Sequence, residues 1–224
     1  MNVLMTLTLS LFATVFGGSL LAQEVIQRPV WSPSTVYVYE SVDLLKKEIT
    51  DTYEQTVLSV SGDRARLQSI TKKRTGAVTI DLAHLSPIRP SASAVVAAIR
   101  FPTSVGDSWK WTVATPMAHD RNVILTWDMT GRFVGWEEVT VPAGTYRAAK
   151  IEHSGYWSTN PRDSASLKMV FWYVPEIGRF AKWQEVHYIW NGQIDIHSEF
   201  RLIKYQSAPD MSDPFAEGKA QSTQ

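Results

Sequence analysis

Five histidines are the first residues of this chain that could do chemistry, since imidazole is a common metal ligand and a general base near neutral pH. His119 precedes Asp120, a pairing typical of metal sites, but the surrounding sequence predicts a solvated loop before a strand. His187 and His197 share one predicted hairpin, whose register places them on opposite faces of the sheet. Because ligands of one ion must converge, the sequence predicts no metal site.

Serine and lysine at the right spacing give a second chemical pattern. Ser69 and Lys72 fit the Ser-x-x-Lys motif, which needs the serine at a helix start and the lysine one turn later. In a strand the two side chains point to opposite faces, so we interpret this match as chance. The sequence also lacks Gly-x-Ser-x-Gly, a phosphate-binding glycine loop and a calcium loop. These absences predict a protein that is not an enzyme and holds no cofactor.

The carboxylates allow a hydrolase, which is the weakest of our hypotheses. A glycosidase needs two carboxylates that face each other across a cleft. Glu152 and Glu185 are the candidates, and Glu185 falls on the apolar face of the last hairpin, opposite Ser198. We expect Glu185 to have a structural partner such as Arg179 rather than a catalytic role.

Composition narrows the class of partner. Lysine plus arginine equal aspartate plus glutamate, 22 each, which argues against nucleic acid because binding it requires a basic surface. There is no cysteine, so the fold must depend on packing. The nine tryptophans fit either a β-sheet core or an aromatic binding surface.

The amino terminus predicts export. Residues 1–22 contain an apolar stretch followed by small residues, the order of a signal peptide. Leu20-Leu21-Ala22 resembles the start of a lipobox, but Gln23 stands where the lipidated cysteine would be. We therefore expect a cleaved, unlipidated, periplasmic or secreted protein that does not span the membrane after signal removal. One β domain over residues 23–205 and a disordered tail over residues 206–224 complete the predicted organisation.

Turn signals predict a series of hairpins. Gly62-Asp63 joins two alternating segments, and Asn191-Gly192 favours a type I′ turn between the last two. The predicted registers pair Val60 with Ala65, Leu58 with Leu67, Ile189 with Ile194, Trp183 with Phe200, and Ala181 with Leu202.

The fold class that follows is mostly β: a curled antiparallel sheet, half-barrel or open barrel-like, with a short covering segment. That segment is the Pro-rich stretch 86–102, in which residues 92–99 could form one or two helical turns. Residues 169–174 are apolar on both faces, so the curled sheet, the covering segment or a ligand must shield them. Our candidate ligand-binding residues are therefore Trp172, Val170, Phe171 and Tyr173.

Three segments together resemble a family. They are Phe101-Pro102-Thr103-Ser104-Val105-Gly106-Asp107-Ser108-Trp109, Val139-Thr140-Val141-Pro142-Ala143-Gly144-Thr145-Tyr146, and Trp172-Tyr173-Val174-Pro175-Glu176-Ile177-Gly178-Arg179-Phe180-Ala181-Lys182. Their order and spacing resemble those of exported bacterial β-proteins of unknown function, near the LolA-like half-barrels. Each segment also reads as a turn between strands, so the segments mark the fold rather than a site.

The resemblance implies a curled antiparallel sheet in an envelope protein, and LolA-like half-barrels tend to hold lipids or acyl chains on their concave side. Two main hypotheses follow. The chain is a non-enzymatic binding protein for a hydrophobic small molecule or lipid, or it is a structural or assembly factor that binds another envelope protein.

Overall fold

The computed structural model describes residues 24–117, 120–160 and 163–209 of the 224-residue chain. The predicted signal peptide at 1–22, His119 and most of the predicted tail at 206–224 lie outside these residues. Across the described ranges, no helix is long and apolar enough to cross a membrane.

One curled, open antiparallel sheet of eleven strands makes up the described part of the chain, which confirms the predicted fold class. Its spatial order is β5-β4-β3-β2-β1-β11-β10-β9-β8-β7-β6. Two meanders, β1–β5 and β6–β11, are thus joined where β1 pairs with β11. The strands are β1 Val36–Asp43, β2 Glu48–Ser61, β3 Arg64–Thr71, β4 Thr75–Asp81, β5 Ser86–Pro87, β6 Ser108–Pro116, β7 Ile124–Val141, β8 Gly144–Thr159, β9 Ser164–Val174, β10 Arg179–Tyr188 and β11 Ile194–Gln206.

The β2–β3 hairpin confirms one predicted pair and corrects another. Val60 faces Ala65 as expected, but Val57, not Leu58, faces Leu67. A β-bulge between Val57 and Ser59 causes the difference, because it adds one unpaired residue to β2. Val57 is therefore buried and Leu58 is 47% exposed.

The β10–β11 hairpin has the predicted register away from its tip. Trp183 faces Phe200, but Tyr188, not Ile189, faces Ile194. The expected type I′ turn is wrong: Gly192 has a positive φ of 82° whereas Asn191 does not. The loop instead closes through backbone bonds between Ile189 and both Gly192 and Gln193. A bulge between His187 and Tyr188 then restores the register along the rest of the strands.

A further correction concerns Ala181, which was expected to face Leu202. The pairing of β10 with β11 ends at Lys182 and Arg201, and Ala181 is an unpaired bulge residue opposite β9. The Leu202 carbonyl accepts a hydrogen bond from the backbone N–H of Ala143, in the β7–β8 turn, at 3.1 Å. The sheet therefore curls enough for the β7–β8 turn to contact β11.

The covering segment 86–102 contains no helix, which corrects the expected helical turns at 92–99. Turns and bends follow the two-residue strand β5 instead, and Ala97, Ala98 and Ile99 are buried. Side chains of the sheet bond these backbone carbonyls: Trp109 Nε1 donates to Ala97 O at 2.8 Å, and His153 Nε2 donates to Ala98 O at 2.9 Å. Since these partners satisfy the backbone, the segment needs no helix to lie on the sheet. We call the sheet face that it covers the inner face.

Candidate functional site

A cavity of about 320 Å³ lies between the inner face of the sheet and the covering segment. Its volume falls within the usual range for small-molecule sites. β2, β4, β7, β9, β10 and β11 all contribute to its wall, together with Leu85, Val96 and Ala98. The apolar wall consists mainly of aromatic and thioether side chains: Trp127, Met169, Phe171, Phe180, Trp183 and Phe200.

Ring contacts hold this aromatic wall together. Trp183 stacks on Phe200 with centroids 4.6 Å apart and an interplanar angle of 10°. Trp183 also meets Tyr39 edge-on at 5.4 Å, while Phe171 lies 5.0 Å from Phe180. Because rings in contact restrain each other, the cavity has a preformed shape.

Arg179 is the best-held charged residue in the cavity wall. Its guanidinium carbon lies 4.9 Å from the Trp31 ring centroid, 5.0 Å from that of Tyr37 and 5.8 Å from that of Tyr39. Arg179 Nη2 donates to Gln55 Oε1 at 2.7 Å, whereas Nη1 is buried with no hydrogen-bond partner among the described residues.

The same aromatic residues fix the backbone around Arg179. Trp31 Nε1 donates to the Gly178 carbonyl at 2.9 Å, Tyr37 Oη to the Ile177 carbonyl at 2.9 Å, and Tyr39 Oη to the Phe180 carbonyl at 2.8 Å. Each ring that lies beside the guanidinium thus also holds a neighbouring peptide group. Arg179 is consequently positioned by both its side chain and its backbone.

Glu185 and His187 lie on the same inner face, farther along β10. Glu185 faces Ser198 as predicted, but its partner is His187, with Nε2 3.7 Å from Oε2, rather than the suggested Arg179. Glu152, the other candidate acid, is exposed on β8 and pairs with Lys150 at 3.5 Å. The structure does not bring the two carboxylates together.

The four residues predicted to bind a ligand are divided between the two faces of β9. Phe171 lines the inner cavity. Tyr173 shares that face and packs edge-on against Phe101, but it does not line the cavity. Val170 and Trp172 point to the outer face, because side chains alternate along a strand.

Charged residues shield Trp172 on that outer face. Its indole N–H donates to Glu137, and Lys182 Nζ lies 4.2 Å from its ring centroid. Lys150 lies 3.7 Å from Glu137 and 6.0 Å from the same ring. Charged side chains therefore bury the Trp172 ring, for which the alternation pattern alone identified no covering residue.

His153 is a structural residue that the sequence did not single out. It is 2% exposed; Nδ1 accepts from Trp111 Nε1 at 3.0 Å while Nε2 donates to Ala98 O. Burial lowers the pKa of His153 to about 4, so the ring is neutral near pH 7. The sequence offers one signal for this role, the placement of His153 on the inward-facing side of β8 beside Ile151.

A larger hollow of about 520 Å³ surrounds Gly155. Its wall mixes apolar side chains with several charged and polar ones, among them Lys110, Lys168, Asp128 and Tyr156, which is 65% exposed. Small-molecule sites are usually mostly apolar with a few polar groups, so the inner cavity fits that description better. No group of three or more potential metal ligands occurs in the part of the chain that the structure describes.

Comparison with solved structures supports the fold. A candidate lipoprotein from Parabacteroides distasonis superimposes with a TM-score of 0.55 at 13% identity, over 82% of this chain and 100% of the other. A candidate exported protein with a YmcC-like fold, from Bacteroides fragilis, gives 0.57 at 12% identity, over 81% and 100%. At these identities the likeness establishes the shared fold alone.

No family model and no curated protein matches the chain. The likeness to LolA-like half-barrels inferred from three sequence segments therefore stays a prediction. Those segments do form turns: their glycines, Gly106, Gly144 and Gly178, all have positive φ.

Proposed function

We propose that this chain is an exported, non-enzymatic binding protein of the bacterial envelope that holds a hydrophobic ligand in its inner cavity. The observation that carries the proposal is the aromatic wall under the covering segment. A cavity of about 320 Å³ has room for a single acyl chain or a compact apolar molecule rather than a large lipid.

Two observations support export. Residues 1–22 have the composition of a signal peptide. The two proteins with similar folds are described as a candidate lipoprotein and a candidate exported protein. We propose that this chain reaches the same compartment without a lipid anchor, since Gln23 occupies the position of the lipobox cysteine.

Exposed apolar residues support a second candidate function, binding of another envelope protein. Trp190 at the tip of the β10–β11 hairpin is 88% exposed, and Ile194 and Ile196 on the adjoining strand are each more than two-fifths exposed. Clustered exposed apolar residues are typical of interaction surfaces.

Native mass spectrometry of protein purified from the envelope tests the ligand proposal. We expect an added mass that denaturation releases, and amino-terminal sequencing should find Gln23 as the first residue. The purified protein should also respond to added laurate, through a change in tryptophan fluorescence and a raised melting temperature. No added mass together with no response to any apolar compound would leave the partner-binding function.

A further inference from the structure

We propose that the cavity selects a single-chain amphiphile with an acidic head group, and that the guanidinium of Arg179 is the anchor for that head group. This inference rests on the proposed function and names the class of its ligand. A fatty acid is the simplest member of that class.

Arg179 has hydrogen-bonding capacity that the described residues leave unmatched. A guanidinium has five N–H donors; Nη2 donates to Gln55, and the Tyr39 hydroxyl is a second, neutral acceptor beside the guanidinium. Nη1 is buried and finds no acceptor in the described ranges. Buried donors are usually satisfied, and a carboxylate or phosphate oxygen is the acceptor that an arginine matches best.

The positive charge of Arg179 also favours an anionic ligand. None of the ion pairs between described residues includes Arg179. Burial raises the pKa of Tyr37 and of Tyr39, so both neighbouring hydroxyls stay neutral and cannot serve as counter-ions. The rings of Trp31, Tyr37 and Tyr39 offset part of the positive charge but supply no anion. A half-buried cation without a paired carboxylate favours an anionic ligand.

The cavity extends along β10 from Arg179. Arg179, Trp183 and Glu185 all line it, so the polar anchor continues directly into the aromatic wall. Glu185 lies six residues beyond Arg179, roughly 17 Å along the strand when the bulge at Ala181 is left out of the count. Its negative charge disfavours an acidic head group at that end. The ligand's head group therefore sits at Arg179 and its chain runs toward Trp183.

Head-group exchange on the unmodified protein tests the inference. Laurate, dodecanol and dodecyltrimethylammonium share a chain length and differ in charge; each is titrated below its micelle concentration and followed by tryptophan fluorescence. Laurate should bind at least about tenfold more tightly than dodecanol, the effect of one charge-assisted hydrogen bond. Acetate should not compete, because it lacks the chain that the aromatic wall holds.

Substitutions test whether Arg179 causes the preference for laurate over dodecanol. Arg179→Met should abolish the preference for laurate over dodecanol, and Arg179→Lys should keep part of it. Arg89→Met is the matched control, since Arg89 also lines the cavity but is exposed. Circular dichroism checks that each variant is folded. If Arg179→Met does not fold, the inference is tested by comparing the head groups on the unmodified chain and on Arg89→Met.

The outcomes separate the two proposals. Equal affinity for laurate and dodecanol would overturn the role of Arg179 and leave the hydrophobic cavity as proposed. Loss of the preference in Arg89→Met would also overturn it. Binding of none of the three compounds would overturn the proposed function itself.

Discussion

His153 on β8 donates a hydrogen bond to the carbonyl of Ala98, a residue 55 positions earlier in the covering segment, with Nε2 2.9 Å from the oxygen. The other ring nitrogen accepts from Trp111 on β6. One neutral imidazole thus links two strands of the sheet to the segment that roofs the cavity. The link depends on the ring keeping one nitrogen free of a proton.

Acid should weaken the fold through His153. Its pKa is about 4 in the folded chain and about 6.5 when unfolded, so between these values the unfolded state binds the extra proton. The contribution of His153 to the free energy of unfolding is fully present above pH 6.5. It falls by about 3 kcal/mol as the pH drops toward 4. Urea unfolding across this pH range measures the loss.

His153→Gln is the control for that experiment, because an amide can donate to Ala98 and accept from Trp111 without titrating. The variant should lose the part of the pH slope that belongs to His153 while carboxylates still titrate in both proteins. Identical slopes in the two proteins would contradict the assignment.

Trp183 and Lys182 are neighbours in sequence that lie on opposite faces of β10. Trp183→Ala should cost about 3 kcal/mol of unfolding free energy, because it removes the stack on Phe200 and the edge contact with Tyr39. Lys182→Ala should cost about 1 kcal/mol or less, since it removes one cation–π contact with Trp172 on the outer face. Chemical denaturation compares the two, and equal losses would be inconsistent with the register.

Gly178 should tolerate alanine less well than Gly192. Both have positive φ, at 64° and 82°. A Cβ at Gly178 would lie 3.0 Å from Pro29 and from Trp31, whereas one at Gly192 meets nothing within 4 Å. Gly192→Ala should therefore cost about 1 kcal/mol of unfolding free energy through backbone strain. Gly178→Ala should cost the same strain and roughly 1–3 kcal/mol more, because its Cβ is crowded. Thermal unfolding measures both variants, and equal losses of stability would refute the difference expected between the two glycines.

Filling the cavity should block the ligand without disturbing the sheet. Val96 lines the cavity from the covering segment, and the adjacent Val95 does not. Val96→Trp should reduce laurate binding at least about tenfold, because the indole occupies the space of the chain. Val95→Trp is the matched control and should bind normally. Equal binding by both variants, each shown to be folded, would place the ligand elsewhere.

Much of the fold could be predicted from local sequence. Alternation of apolar and polar residues identified the strands, and it placed Phe171 and Trp172 on opposite faces of β9. Gly62-Asp63 located a hairpin and fixed the pairing of Val60 with Ala65 next to the turn. Such features depend on residues that are close in the chain, so a single sequence contains the needed information.

Bulges and long-range contacts decided the rest. The extra residue at Leu58 changed a predicted pair in the β2–β3 hairpin. The bulge at Ala181 ended the predicted pairing with Leu202, whose carbonyl accepts a hydrogen bond from Ala143 instead. Turn patterns in the sequence do not encode either outcome.

The candidate site depended most on tertiary structure. Trp172 looked like a ligand contact because the sequence could not show that Lys182 and Glu137 cover it. Arg179 stood out only after folding brought Trp31 and Tyr37, more than 140 positions away, against its guanidinium. The sequence alone determined the strands and their faces, because these follow from local periodicity. Which face encloses a cavity, and which charge lies in it, follows from packing between distant segments.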